Sequence, residues 1–280
     1  MISIIIPVLN EADTISRLLT HLIENSSPKN ISEIIVVDGG STDGTLGIVK
    51  DFVTSSNSER SEELYREAFS DVLDTKFQKK DFTRTDVQDN AKRDPESSSG
   101  LENKSNILLI NSPKGRAKQM NLGAKHATGS ILYFLHADSF PPKDFDQLII
   151  NEVQKGNQAG CFRMQFDSNH WWLCLASWLT QFSWRASRGG DQSQFITKTL
   201  FNDISGYNEN YIIYEDNVLI NELYARNEFT VINKKLTTSA RLYRKHGIWK
   251  LQYHFWTIYV KKWFGASAEE LLAYYKKHIC

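Results

Sequence analysis

The run ISIII at residues 2–6 is continuous and β-branched, with only Ser3 interrupting it. That pattern suits a strand covered on both faces, as in a parallel sheet, better than one with a wet side. The run stops at Pro7, and Asn10 and Glu11 stand where it ends. From Glu11 to Ile23 the apolar positions Ile15, Leu18, Leu19, Leu22 and Ile23 recur at helical spacing. EIIVVD at 33–38 repeats the strand pattern, and Asp43 to Phe52 can carry a second helix. A β-α-β-α order predicts an α/β fold, a Rossmann-like, mostly parallel, doubly wound sheet with helices on both faces. Ligands of such sheets bind beyond the carboxyl ends of the strands, which is where Asn10, Glu11 and Asp38 fall.

The pattern breaks once. From Thr54 to Asn106 serines and mixed charges replace the apolar periodicity, so 54–106 reads as a polar, partly flexible insertion. Within it SEELYREAFSDVLDTKF places Leu64, Ala68, Val72 and Leu73 on one helical face. Strands resume at 107–111, 130–138 and 160–166. Between the first two, SPKGRAKQMNLGAKHATG gives a loop and a helix ending near Gly129. HWWLCLASWLTQFSW reads as a helix, NYIIYEDNVLINELYARN as a turn into a helix, and VINKKLTTSARLY as strand and loop. Residues 248–279 are helical and rich in aromatics. With 280 residues, 41% of them hydrophobic, the chain can bury one large core, and we expect a single domain over 1–280.

Lys plus Arg equals Asp plus Glu at 33 each, which lends no support to nucleic-acid binding. Cys161, Cys174 and Cys280 form no metal or disulfide spacing, and the odd number suits reduced thiols in the cytoplasm. The N-terminal residues lack the basic region of a signal peptide, and no apolar run reaches the about 20 residues that a membrane span needs.

PVLNE, VDGGSTDGT, GRAKQMNLGA with LHADS, and YEDNVL stand in an order that resembles the family 2 glycosyltransferases, enzymes of the GT-A fold that use nucleotide-diphospho-sugars. GRAKQMNLGA, FLHADS, GGDQSQF and SARLYRKHG are most similar to a bacterial subfamily associated with radical-SAM and selenium-related proteins. The resemblance implies a nucleotide-sugar half at 1–53 and 107–140, and an acceptor half with C-terminal helices at 141–280. It implies donor contacts from Pro7, Leu9, Asn10, Glu11, Asp38, Arg116, Asn121 and Ala137, with Gly190, Asp191 and Gln192 nearby. Asp43 is either a ligand contact or a helix cap. We read Lys118 and Gln119 as an exposed helix face.

The metal motif of the family is Asp-x-Asp; here it reads His136-Ala137-Asp138, with one carboxylate missing. Asp138 is the expected Mg²⁺ or Mn²⁺ contact, because a hard cation bound to carboxylate oxygen neutralises a departing diphosphate. His246 is a second candidate for the lost ligand, set against an ordinary solvated histidine. Asp216, supported by Glu215, is carried over as the base that takes the acceptor proton, although two acids at a helix start also suit its dipole. Arg241 and Arg244 lie in a basic loop expected to meet the diphosphate. The QxxRW motif of processive members is absent, so we expect transfer of one sugar. The rival readings are a sugar nucleotidyltransferase and an inactive nucleotide-sugar-binding protein.

Two segments, HWWLCLASWLTQFSWR and GIWKLQYHFWTIYVKKWFG, mix aromatic and basic residues. Either they lie in a membrane interface, at its inner face and near a lipid-linked acceptor, or they pack on the sheet or form a homodimer contact.

Overall fold

The computed structural model describes residues 1–54, 106–189 and 192–279. The chain divides into two compact units, Met1–Val49 with Ser105–Cys280, and Lys50–Lys104. The first unit carries the sheet, and the helix expected within 54–106 lies outside the described residues.

The first half runs β1 (Ile2–Val8), α1 (Ile15–Glu24), β2 (Ile31–Asp38), α2 (residues 45–54), β3 (Asn106–Asn111), α3 (Arg116–His126) and β4 (Ile131–Phe134). A short β5 (Ser139–Phe140), α4 (Phe145–Gln154), β6 (Ala159–Phe166) and α5 (Trp171–Leu179) follow. Then come β7 (Gln194–Thr197), α6 (Lys198–Asp203), α7 (Glu215–Ala225), β8 (Thr230–Thr238), α8 (Arg241–His246), α9 (Ile248–Trp263) and α10 (Ala268–His278). The eight strands form one sheet in the order β3-β2-β1-β4-β7-β6-β8-β5. β3, β2, β1 and β4 are parallel, β7 lies antiparallel to β4 and β6, and β6 pairs parallel with β8. This is the mostly parallel α/β sheet expected from the apolar runs.

β1 is buried along its length, except for a half-buried Pro7, because both its faces are covered. Ile5, Ile35 and Val37 pack against Ala117, Met120 and Ala124 of α3 and against Leu200, Phe201, Leu219 and Leu223 of α6 and α7. Strand alternation turns Ile4 and Ile6 the other way. A second cluster joins Met164 and Phe166 of β6 to Leu173 of α5, Tyr243 of α8, Leu251 and Ile258 of α9, and Leu271 of α10.

Three readings need correction. SARLYRKHG is not a loop: Arg241–His246 closes a short helix after Ala240. The strand expected over 130–138 ends at Phe134, so His136, Ala137 and Asp138 leave the sheet in a turn. The C-terminal helix is two, broken where Gly265 takes φ +90° and restarted at Ser267, whose side chain forms a capping box with Glu270. Among the described residues no helix is long and apolar enough to cross a membrane.

Candidate active site

The loops after β1 and β2 are laced together. Asn10, in the left-handed region at φ 58°, donates its amide to Ser41 Oγ (2.9 Å) and accepts the Thr42 amide on Oδ1 (2.9 Å). The Glu11 amide donates to Thr45 Oγ1 (2.9 Å) and the Ala12 amide to Asp43 Oδ2 (3.0 Å). Asp43 also accepts the Thr45 hydroxyl and amide ahead of α2. The Thr45 hydroxyl first, and then the Ala12 amide, hold its carboxyl below the usual range. Asp38 is 2% exposed and turns into its own loop, accepting the amides of Gly40 (2.8 Å) and Ser41 (3.0 Å) and the Ser41 hydroxyl. Gly40 closes that turn at φ +95°. PVLNE and VDGGSTDGT are thus two halves of one rim.

That rim borders a cleft of ≈ 320 Å³. The end of β1 contributes Pro7, Leu9 and Glu11; the start of α3 contributes Lys114, Gly115, Arg116 and Gln119; the turn after β4 contributes His136, Ala137 and Asp138. Arg241 and Tyr243 of α8 and Phe255 of α9 form the opposite wall. Arg241 crosses the cleft to hold both oxygens of Glu11, with Nη1 at 2.8 Å from Oε2, and its Nε lies 3.4 Å from Asp138 Oδ2. Arg116 Nη1 lies 3.1 Å from Glu215 Oε1 and 3.5 Å from Asp216 Oδ2, so it links the cleft to the acid pair at the start of α7. Burial raises the Glu215 carboxyl above its ordinary range, and the Arg116 guanidinium opposes the rise. His136 is held well below its ordinary range, by burial first and then by Arg116 and Arg241, and is therefore neutral.

Other expected residues are spent elsewhere. Asn121 donates to the Tyr207 carbonyl (2.9 Å) and to Glu209, and accepts the Tyr207 amide, fixing the loop after α6. Gln192 accepts from Arg188 (2.9 Å) and Cys161 and donates to the Ser187 carbonyl. Asp191 and Gly190 lie outside the described residues. Arg244 turns away to Asp167 (2.9 Å), and the Nε2 of His246 is buried with no hydrogen-bond partner. Neither Arg244 nor His246 lines the cleft.

Gln119 overturns our reading of an exposed face. It is 4% exposed, and its Nε2 donates to the carbonyls of Val8 and Val37, both at 2.8 Å, tying together the ends of β1 and β2. The signal was available: Gln119 precedes Gly123 by one helical turn on the face that packs on the sheet. Lys114 and Phe255 were missed because neither belongs to a motif.

Among the described residues no three His, Cys, Asp or Glu side chains converge as a ready-made metal site. Asp138 and the neutral His136 do line the cleft together. One carboxylate suits a cation that takes its remaining ligands from substrate phosphate and water. The cleft fits a metal that arrives with a diphosphate.

A mostly parallel sheet with a polar cleft at its carboxyl rim is the architecture of GT-A glycosyltransferases. The mannosyltransferase PcManGT from Pyrobaculum calidifontis, solved with GDP-Man and Mn²⁺, superposes with TM-score 0.55 at 16% identity, over 99% of this chain and 63% of that one. Residues 3–68 and 78–212 match the sequence profile of glycosyl transferase family 2, and the chain belongs to that family. Glycosyltransferase AglE of Haloferax volcanii is 44% identical over 54 residues, 19% of this chain and 18% of AglE. The dolichyl N-acetyl-alpha-D-glucosaminyl phosphate 3-beta-D-2,3-diacetamido-2,3-dideoxy-beta-D-glucuronosyltransferase of Methanococcus voltae is 41% identical over 58 residues, 21% of this chain. That match also spans only 18% of the relative.

Proposed function

We propose that the chain transfers one sugar from a nucleotide-diphospho-sugar to an acceptor hydroxyl, with inversion at the anomeric carbon. The reading rests on Arg116, which faces the cleft at α3 and reaches Glu215 and Asp216 at α7, placing cations for a diphosphate beside a buried acid pair. The donor diphosphate lies between Lys114, Arg116 and Arg241, which recognise phosphate oxygens. Asp216 takes the proton from the acceptor hydroxyl as the anomeric carbon is attacked, and Glu215 and Arg116 orient it. Asp138 would hold Mg²⁺ or Mn²⁺ together with the donor, and the cation would offset charge on the departing diphosphate. The rim loops, fixed by Asp38 and Asn10, frame the nucleoside. Within the family, the motifs GRAKQMNLGA and SARLYRKHG support membership of the radical-SAM and selenium-associated subfamily. The Methanococcus relative, named for action on a dolichyl N-acetyl-alpha-D-glucosaminyl phosphate, supports a lipid-linked acceptor.

The test is thermal shift with UDP-, GDP- and dTDP-sugars, with and without Mn²⁺, followed by assay of nucleotide release. A donor at 100 times its Kd raises stability by about 2.7 kcal/mol. Transfer should fall by a factor of 10² or more in Asp216→Asn, the scale of general-base catalysis. Turnover unchanged in Asp216→Asn removes that residue from the base role. Stabilisation by nucleoside triphosphates with pyrophosphate release favours a nucleotidyltransferase, and donor binding without turnover favours a binding protein.

A further inference from the structure

The chain has seven tryptophans, and six of them, Trp171, Trp178, Trp184, Trp249, Trp256 and Trp263, are between 49% and 85% exposed. Tryptophan is ordinarily well buried, so six on one part of a protein mark a surface with a partner.

The pattern is built into two helices. α9 faces the core through Leu251 and Ile258. Its exposed residues Trp249, Tyr253, Trp256, Val260 and Trp263 recur at spacings of four and three, which forms a second apolar stripe on the side turned away from that core. α5 repeats the arrangement, with Leu173 inward and Trp171, Leu175 and Trp178 outward. The stripes meet: the rings of Trp171 and Trp249 lie 5.7 Å apart, and Trp172 lies 5.4 Å from Trp249 and 5.7 Å from Trp256. Phe264, 83% exposed, extends the surface past the end of α9.

Charge selects the occupant. In a chain with no net charge, residues 241–267 hold six Lys and Arg and no Asp or Glu, and residues 168–189 hold two Arg and no acid. Exposed Lys250 and Lys261 flank the α9 stripe, and Lys245 is exposed in the last turn of α8, just before it in the chain. Of these cations Arg241 and Arg244 pair with Glu11, Asp138 and Asp167, and Arg188 is buried, so Arg185, Lys245, Lys250, Lys261 and Lys262 carry the surface charge, with Glu270 beside Phe264. Tryptophan and tyrosine edged by lysine suit the headgroup level of a bilayer, and a surface with this basic excess is drawn to anionic lipid.

We propose that α5 and α9 form a docking face for the surface of an anionic phospholipid bilayer. The face stands on exposure and charge alone and does not depend on the transfer reaction. If that reaction is as proposed, α9 joins the two, because its Phe255 lines the cleft while its outer stripe contacts lipid, and a lipid-linked acceptor would reach the cleft along α9.

The full chain should float with phosphatidylcholine vesicles containing phosphatidylglycerol and stay largely unbound with phosphatidylcholine alone. Its tryptophan emission should shift to the blue on binding. Trp263→Ser with Phe264→Ser, and separately Trp171→Ser with Trp249→Ser, should each weaken partition at least tenfold, and Lys245→Glu with Lys250→Glu should abolish the preference for anionic vesicles. Melting temperatures of the variants and their shifts with nucleotide-sugars should match the parent, which separates failure of this face from failure of the donor site. The proposal is overturned by a protein that stays unbound with both vesicle types, by equal binding to both, or by serine variants that bind like the parent. A stable dimer in solution that these serine substitutions dissociate also overturns it, since the face would then bind a second copy.

Discussion

Arg241 touches both Glu11 and Asp138 of the cleft, and its bidentate grip on Glu11 needs the planar fork of a guanidinium. Half of that side chain meets water, so Arg241→Ala should change folding stability by no more than about 1 kcal/mol. Donor binding should suffer more, with affinity falling about tenfold, equal to about 1.4 kcal/mol, and Arg241→Lys recovering little of it. Isothermal titration with the donor found by thermal shift checks both. Glu215 gives a second residue-scale expectation. Its folded pKa is raised above the ordinary 4.5, by burial against the pull of Arg116. Its contribution to stability is therefore fully present below that unfolded value and is lost as pH rises through the folded value. Arg116→Met removes the opposing cation and moves the folded value higher still. Urea midpoints of that variant should decline more steeply than the parent's as pH rises above the ordinary 4.5, and Glu215→Gln should remove the added slope. Equal slopes for parent and Arg116→Met would show that the ion pair carries no weight.

At the scale of elements, two residues of one motif set how closely α3 sits on the sheet. A Cβ added at Gly123 would stand 2.5 Å from Ile5 Cγ2 and 3.2 Å from Val37 Cγ2, both in the core. Gly123→Ala should cost about 1–3 kcal/mol through overpacking, with the urea midpoint lowered and the slope unchanged. Combined with Ile5→Ala the two costs should sum to less than their separate values, since the second removes the methyl the first strikes. Gln119→Leu takes the Nε2 donor from the carbonyls of Val8 and Val37, of which Val8 keeps the Gly39 amide (2.9 Å), and should cost about 0.5–1.5 kcal/mol, with looser loops after β1 and β2. GRAKQMNLGA carried this information, but family resemblance drew attention to Arg116 and Asn121, and only Arg116 faces the cleft. Asn121 is conspicuous because it anchors the Tyr207 backbone, a role that an isolated motif cannot distinguish from ligand contact.

Over the whole molecule, legibility followed the length of the apolar signal. β1, β2 and β6 announce themselves as buried runs, whereas β7, four residues between β4 and β6, has too few to show a period, although it joins the two halves of the sheet. The cleft was half legible for the same reason: Glu11, Arg116 and Asp138 belong to motifs, whereas Phe255 comes from a helix whose aromatic content conceals which side faces the core. That helix also decides how the two apolar clusters cooperate. Leu271 of α10 is fully buried in the second cluster, beside Tyr243 of α8 and Ile258 of α9. α8 carries Arg241 and α9 carries Phe255, so the wall of the cleft rests on that cluster, whereas β1 and β2 rest on the first. Leu271→Ala should cost about 2–5 kcal/mol at the second cluster. Hydrogen exchange should then quicken through α8, α9 and α10 while β1 and β2 keep their protection, and donor affinity should fall although no cleft residue has changed. Uniform loss of protection across β1, β2 and α9 would mean instead that the two clusters unfold as one cooperative unit.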